Sequence, residues 1–125
     1  MIGLLAVGIG GALGAMLRYG ISKIPFLSGN VFPWMTFVAN LLGAVLIGVI
    51  AGVTLNDSRL TPNQVLLLKT GFCGGLTTFS TFSLEAFGLI ETGRWGVGGL
   101  YMIASVVVCL AGVFVGRAAT LKFLV

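Results

Sequence analysis

The sequence predicts an all-α membrane protein of four transmembrane helices, the third of them broken near its middle. Three observations lead there. First, the chain of 125 residues is 58% hydrophobic and 8% charged, with a mean hydropathy of +1.14, whereas a soluble domain carries about 25% charged residues. Second, the apolar residues fall into four long segments, at about 2–20, 33–55, 62–90 and 95–118, and a hydrocarbon core takes about 20 residues per helix. Third, only the third segment is interrupted, by Gly74-Gly75 and then by five hydroxyl side chains set around two phenylalanines. Short loops join the segments, so the whole chain reads as one integral membrane domain with no loop large enough for an active site.

Span one, roughly Ile2 to Tyr19, carries Gly3, Ala6, Gly10 and Gly14 on one face with Gly11 and Ala15 beside it. Small-xxx-small spacing lets helix backbones approach closely in lipid. Gly8, Gly10 and Gly11 lack the third glycine, the preceding strand and the following acid of a nucleotide-binding loop, so packing is the better reading. The segment has no basic n-region and runs on into Arg18 and Tyr19, unlike a cleaved signal peptide. Arg18 can snorkel to the interface as a positive anchor, or stand at a pore mouth and attract anions. Both readings stay open.

Pro25, Ser28, Gly29 and Asn30 mark the linker to span two as a turn, and Pro33 suits a first helical turn. Trp34 is placed as an interfacial aromatic. Asn40 sits alone in the apolar run Thr36-Phe37-Val38-Ala39-Asn40-Leu41-Leu42, and an amide at that depth must find partners. It serves either as glue between helices or as a donor of N–H groups to a passing anion.

Asn56-Asp57-Ser58-Arg59-Leu60 reads as a polar turn, and Thr61-Pro62 as a cap followed by proline at the first helical position. Span three is longer than a straight crossing requires, and a break at Gly74-Gly75 absorbs the excess, since paired glycines are a common place for a helix to bend. Lys69, before the break, can reach outward by snorkelling. Beyond the break, Thr77, Thr78, Ser80, Thr81 and Ser83 surround Phe79 and Phe82, which share a face at i and i+3. Freed backbone groups and dense hydroxyls at bilayer depth are tolerated against protein or a watery cavity, so this stretch reads as the lining of a path. Aromatic rings have a positive edge. Two such edges among hydroxyl donors suit a small, hard anion without any full positive charge. Glu85, one turn further, is either an interfacial carboxylate or an acid tuning ion passage. Tyr101 and Ser105, four apart on span four, are the remaining polar side chains available to line a path, and Trp95 again marks the interface.

The net charge of +4 is scattered singly, with no basic cluster, which discounts nucleic acid as a partner. Cys73 and Cys109 have no CxxC spacing and there is no histidine, so they read as small apolar residues rather than a disulfide or zinc site. The absence of histidine, paired carboxylates and a nucleophile motif argues against an enzyme. Arg18, Lys23 and Arg94 fall on one side of the membrane and Arg59, Arg117 and Lys122 on the other, with Lys69 arguable. Orientation follows the Lys/Arg excess on the cytoplasmic side. With almost none here, the chain can insert either way up and assemble as an antiparallel homodimer in the bilayer, where two broken spans would meet near the midplane.

On the stretches 10–19 (Gly10-Gly11-Ala12-Leu13-Gly14-Ala15-Met16-Leu17-Arg18-Tyr19) and 74–83 (Gly74-Gly75-Leu76-Thr77-Thr78-Phe79-Ser80-Thr81-Phe82-Ser83), together with Asn40, the chain resembles the Fluc (CrcB) fluoride channels of microbes along its whole length. The resemblance implies a passive, fluoride-selective channel of the inner (plasma) membrane, formed by an antiparallel, dual-topology dimer with two pores. It implies that Phe79 and Phe82 are the paired phenylalanines facing fluoride, that Asn40 is the pore asparagine, and that Thr78, Ser80, Thr81 and Ser83 supply hydroxyls. Tyr101 and Ser105 fall where the family's fourth span lines the ion path. It also implies one central, structural sodium ion on backbone carbonyls, which maps to Gly74 and Thr77. Arg18 and Glu85 stand as vestibule charges. Two rival readings are a small dual-topology multidrug exporter, disfavoured because span one has no acid, and a non-transporting scaffold subunit, which leaves the hydroxyls and phenylalanines without a purpose.

Overall fold

The computed structural model describes residues 1–56 and 60–123. The described residues form helices and turns. Helix α1 covers Ile2–Ile21, a 3-10 turn covers Pro25–Leu27 and α2 covers Trp34–Asn56. The third span starts with α3 at Pro62–Val65, continues as a π-helix over Leu66–Cys73 and returns to α-helix in α4, Gly74–Leu76. Its second half is α5, Phe79–Glu91, and α6 covers Trp95–Phe123. Among the described residues, four helical stretches are long and apolar enough to cross a membrane: Ile2–Ile21, Trp34–Leu55, Pro62–Glu91 and Trp95–Phe123. The protein is a multi-pass membrane protein. Within the loop expected at 56–60, Asp57, Ser58 and Arg59 lie outside the described residues, and with Arg59 so does part of the charge balance.

The helix ends follow local chemistry. Thr61 and Gln64 form a reciprocal capping box, with the Thr61 hydroxyl accepting from the Gln64 N–H and the Gln64 side chain accepting from the Thr61 N–H at 2.8 Å, so two end donors are satisfied at once. Between α5 and α6 the chain reverses at Gly93, whose φ of +77° suits a residue without a Cβ. The N–H of Arg94 reaches the Leu89 carbonyl and that of Gly93 the Ile90 carbonyl, the paired bonds that close a helix C-terminus. The last helix runs to Phe123, past the end expected near Ala118. Packing explains the extension, because fully buried Thr120 donates within its own helix to Gly116 and lies against Val49 of α2.

The helices associate in two close pairs, α1 with the first half of the third span and α2 with α6. Both pairs are closed by glycine. A Cβ on Gly10 would overlap the Leu67 carbonyl, one on Gly14 the Phe72 carbonyl and the Leu76 nitrogen, and one on Gly75 the Gly11 carbonyl. In the other pair, Gly48 faces the Val113 backbone and Gly116 the Val45 backbone. Association in lipid depends on such contact because lipid tails are as apolar as leucine. Gly14→Ala is therefore expected to destabilise the protein by about 1–3 kcal/mol, the cost of overpacking. Gly8 in the same helix has open space around it, so Gly8→Ala is expected to change stability little. Thermal unfolding of the two purified variants in detergent checks the contrast.

The glycine pair in the third span does not break the helix. Gly74 is helical at φ −63°, ψ −39°. Extended backbone falls instead at Thr77 (φ −83°, ψ 154°) and Thr78 (φ −149°, ψ 119°). The expected position at Gly74-Gly75 is corrected for a physical reason: Gly75 is needed for the approach of α1, and the groups that hold the break lie outside the segment. One buried cluster, Phe37, Ala86, Leu89 and Tyr101, ties α2, α5 and α6 together, and a second, Ile21, Ala39 and Leu76, ties α1 and α2 to the residue before the break. The two clusters flank Thr77-Thr78, which is half-buried.

Candidate functional site

The break is held by Asn40. Its side chain accepts from the Thr78 N–H at 2.7 Å and donates through Nδ2 to the Thr78 carbonyl at 3.2 Å. The amide thus replaces the helical partners that Thr78 has lost. Of the two readings left open for Asn40, bridging between spans is directly visible, and one Nδ2 proton is left over for a further acceptor. Thr78 then starts α5 as its cap, its hydroxyl accepting from the Thr81 N–H at 3.2 Å. The same hydroxyl lies 3.1 Å from Thr81 Oγ1 and 3.2 Å from Ser80 Oγ. Residues 78–81 therefore form a small connected set of hydroxyls at the start of a helix, where the dipole is positive.

Two cavities meet at Thr78. The larger is a groove of about 700 Å³, bordered by Asn40, Thr78, Phe79, Phe82 and Ser105 and floored by apolar side chains of α2 and α6. The Phe79 and Phe82 ring centroids are 5.5 Å apart, and Phe82 stands 5.1 Å from the Tyr101 ring. Phe79 is 79% exposed at the groove edge, whereas Phe82 is half-buried. Ser105 is buried, and its Oγ has no hydrogen-bond partner. A buried hydroxyl without a partner costs about 1–3 kcal/mol, so this one calls for an acceptor in the groove. Gly74 and Thr77 border the same space, as do Cys73 and Cys109, both free thiols.

The smaller cavity, about 270 Å³, is bordered by Arg18, Thr36, Thr78, Thr81 and Glu85. Arg18 is not spread along the interface. Its Nε donates to the Gly75 carbonyl at 3.1 Å, so the guanidinium is tied to the end of the third span's first half. Glu85 is held from two other spans: Thr36 donates to one carboxylate oxygen at 2.8 Å and Tyr101 to the other at 2.7 Å.

The residues expected to line one path are therefore divided. Asn40, Thr78, Phe79, Phe82 and Ser105 share the groove, and Arg18, Thr81 and Glu85 share the second cavity with Thr78. Ser80 and Ser83 are exposed, and the Ser83 hydroxyl donates to the Phe79 carbonyl at 2.8 Å. Tyr101 is fully buried and borders neither cavity, since its hydroxyl is committed to Glu85. Thr36 was not singled out by sequence reasoning. Its position four residues before Asn40 put it on the same helix face, and that spacing was the available signal. Tyr101→Phe removes the bond to one Glu85 carboxylate oxygen and leaves the one from Thr36, and loss of a bond to a charged group costs about 1.5–3 kcal/mol. A lowered unfolding temperature with unchanged helix content is the expected result, measured by circular dichroism.

Comparison with known proteins identifies the family. The family model described as CrcB-like protein, Camphor Resistance (CrcB), matches residues 5–117. A protein of Rhizobium etli named fluoride-specific ion channel FluC is 44% identical over 119 residues, covering 94% of this chain and 95% of that one. Proteins of the same name from Geobacter sulfurreducens, 41% identical over 120 residues with 95% and 97% covered, and from Marinobacter nauticus, 46% identical over 103 residues with 82% of each covered, are similar to it as well. With a family model spanning nearly the full chain and relatives aligned almost end to end, the protein belongs to the CrcB family.

Proposed function

We propose that the protein is a passive, fluoride-selective ion channel of the inner membrane that lets cytoplasmic fluoride leave down its electrochemical gradient. The observation that carries this reading is the convergence, in one largely apolar groove, of a spare Asn40 N–H, the unpartnered Ser105 hydroxyl and the Phe79 and Phe82 rings. The names of its relatives point the same way. Fluoride is small and strongly hydrated, so a path must replace its water with other donors. Amide, hydroxyl and positive ring edges supply them, and they bind well enough to admit the ion yet weakly enough to release it. Chloride is larger and would be disfavoured in a path narrowed by two aromatic rings. A negative-inside potential favours anion exit by about 2.3 kcal/mol per 100 mV, so no energy-coupling site is required.

The functional unit is an antiparallel homodimer. Support comes from the weak charge bias of the sequence and from the open, apolar groove on each protomer, which a second copy would cover. Thr78, shared by both cavities, would stand between the Arg18–Glu85 vestibule and the groove, with Thr81 beside it. A structural sodium ion fits the donor set at the break. The Thr78 N–H is taken by Asn40, so the Gly74 carbonyl does not receive the bond a continuous helix would give it. Gly74 and Thr77 would hold the ion through backbone oxygens, the ligands hard cations prefer, and its charge would offset the carbonyl ends meeting there. Expression in a bacterium deprived of its own fluoride exporter tests the function in cells. Restored growth in fluoride is the expected result, and persistent sensitivity with the protein present in the membrane would contradict it.

A further inference from the structure

Among the described residues, the groove is bordered by a single charged side chain, Lys69. Sequence reasoning sends this lysine outward to the membrane interface, yet it lines the same space as Asn40 and Ser105. Its place follows from the backbone. Lys69 lies in the π-helical stretch Leu66–Cys73, a rare geometry that is frequent at functional sites, and Lys69, Cys73 and Thr77, at successive four-residue steps, all border the groove. Among the described residues the groove lining contains no carboxylate. Glu85 is bonded to Thr36 and Tyr101 and borders the other cavity. Lys69 is exposed at the border of the groove, and an ammonium at the mouth of a largely apolar groove without a fixed counter-charge attracts a mobile anion, its field focused by low-dielectric walls. The buried, unpartnered Ser105 hydroxyl independently calls for an acceptor in the same space.

We propose that Lys69 is an anion-capturing residue of this groove, raising the local fluoride concentration on the face of the break opposite Arg18. The proposal rests on the fluoride-channel reading and adds a cation at the second end of the path. Lys69 does not coordinate the ion at the narrowest point. It sets how often an ion arrives.

The test is single-channel fluoride current of the full-length protein in planar bilayers, which reads each conducting molecule and is blind to how much protein folds. Wild type, Lys69→Arg, Lys69→Gln and Lys69→Met are compared at about 30 mM and about 300 mM sodium fluoride, conditions that shorten the screening length well below about 10 Å at the higher salt. At low salt Lys69→Gln and Lys69→Met are expected to carry about one third of the wild-type current or less, a modest instance of electrostatic focusing. At high salt they approach wild type, and Lys69→Arg follows wild type throughout. Lys69→Met keeps the length and apolar stem of lysine, so it preserves packing if glutamine does not. Equal currents at low salt would overturn the proposal in favour of simple snorkelling. An equal fractional loss at both salts would overturn it in favour of a packing role. A wild type that conducts no fluoride would remove the channel reading itself, an outcome distinct from either.

Discussion

Asn40→Asp is expected to abolish fluoride conduction in a protein that still folds. The aspartate can accept from the Thr78 N–H as Asn40 does at 2.7 Å, so half of the bridge across the break survives. It cannot donate to the Thr78 carbonyl, now reached at 3.2 Å, and it has no N–H left for an ion. It also places a negative charge where an anion must pass. A loss of at least about 100-fold in fluoride flux is expected, equivalent to about 2.7 kcal/mol at 1.36 kcal/mol per decade. Asn40→Ala differs in kind. It strands both backbone groups of Thr78, each costing about 1–3 kcal/mol when buried unpaired, and is expected to unfold at lower temperature as well as to stop conducting. Fluoride efflux and thermal unfolding, measured on the same preparations, separate the two effects.

Replacing the rings is expected to have the next largest effect. Phe79→Ile and Phe82→Ile keep apolar bulk but remove the positive ring edge, and each should lower fluoride flux by about tenfold or more, the loss of roughly one decade-sized interaction. Their stabilities should differ. Phe82 packs at a tilt 5.1 Å from the buried Tyr101 ring, and aromatic pairs contribute about 0.5–1.5 kcal/mol beyond area burial, so Phe82→Ile loses stability too. Phe79 is 79% exposed on the protomer, so its replacement should spare the protomer fold. Intact flux in either variant would mean that the rings serve packing alone.

Much of this arrangement was legible in the sequence. Hydropathy marked the four spans, and the density of hydroxyls around Phe79 and Phe82 marked where the third span departs from a plain helix. The exact break was not legible. Gly74-Gly75 looks like a breaker because glycine costs a helix about 1 kcal/mol, but at Gly75 that cost goes with a close contact to Gly11, a partner no local pattern displays. The break sits at Thr77-Thr78 because Asn40, on another span, offers Thr78 a better partner. Tyr101 and Ser105 looked equivalent, four residues apart on one face. What separates them is a carboxylate from α5, which claims the Tyr101 hydroxyl and leaves Ser105 free toward the groove. Lys69 is exposed, as snorkelling near a span end leads one to expect, but its place on the groove lining in line with Cys73 and Thr77 has no marker in composition.

The central claim, that these residues form a selective passage for fluoride, is tested most directly by ion release from liposomes carrying the purified protein, with fluoride and chloride measured in parallel. Rapid fluoride release that depends on an added potassium ionophore, with no chloride release, is the predicted result. Equal release of both ions, or no fluoride release from a folded, reconstituted protein, would contradict it.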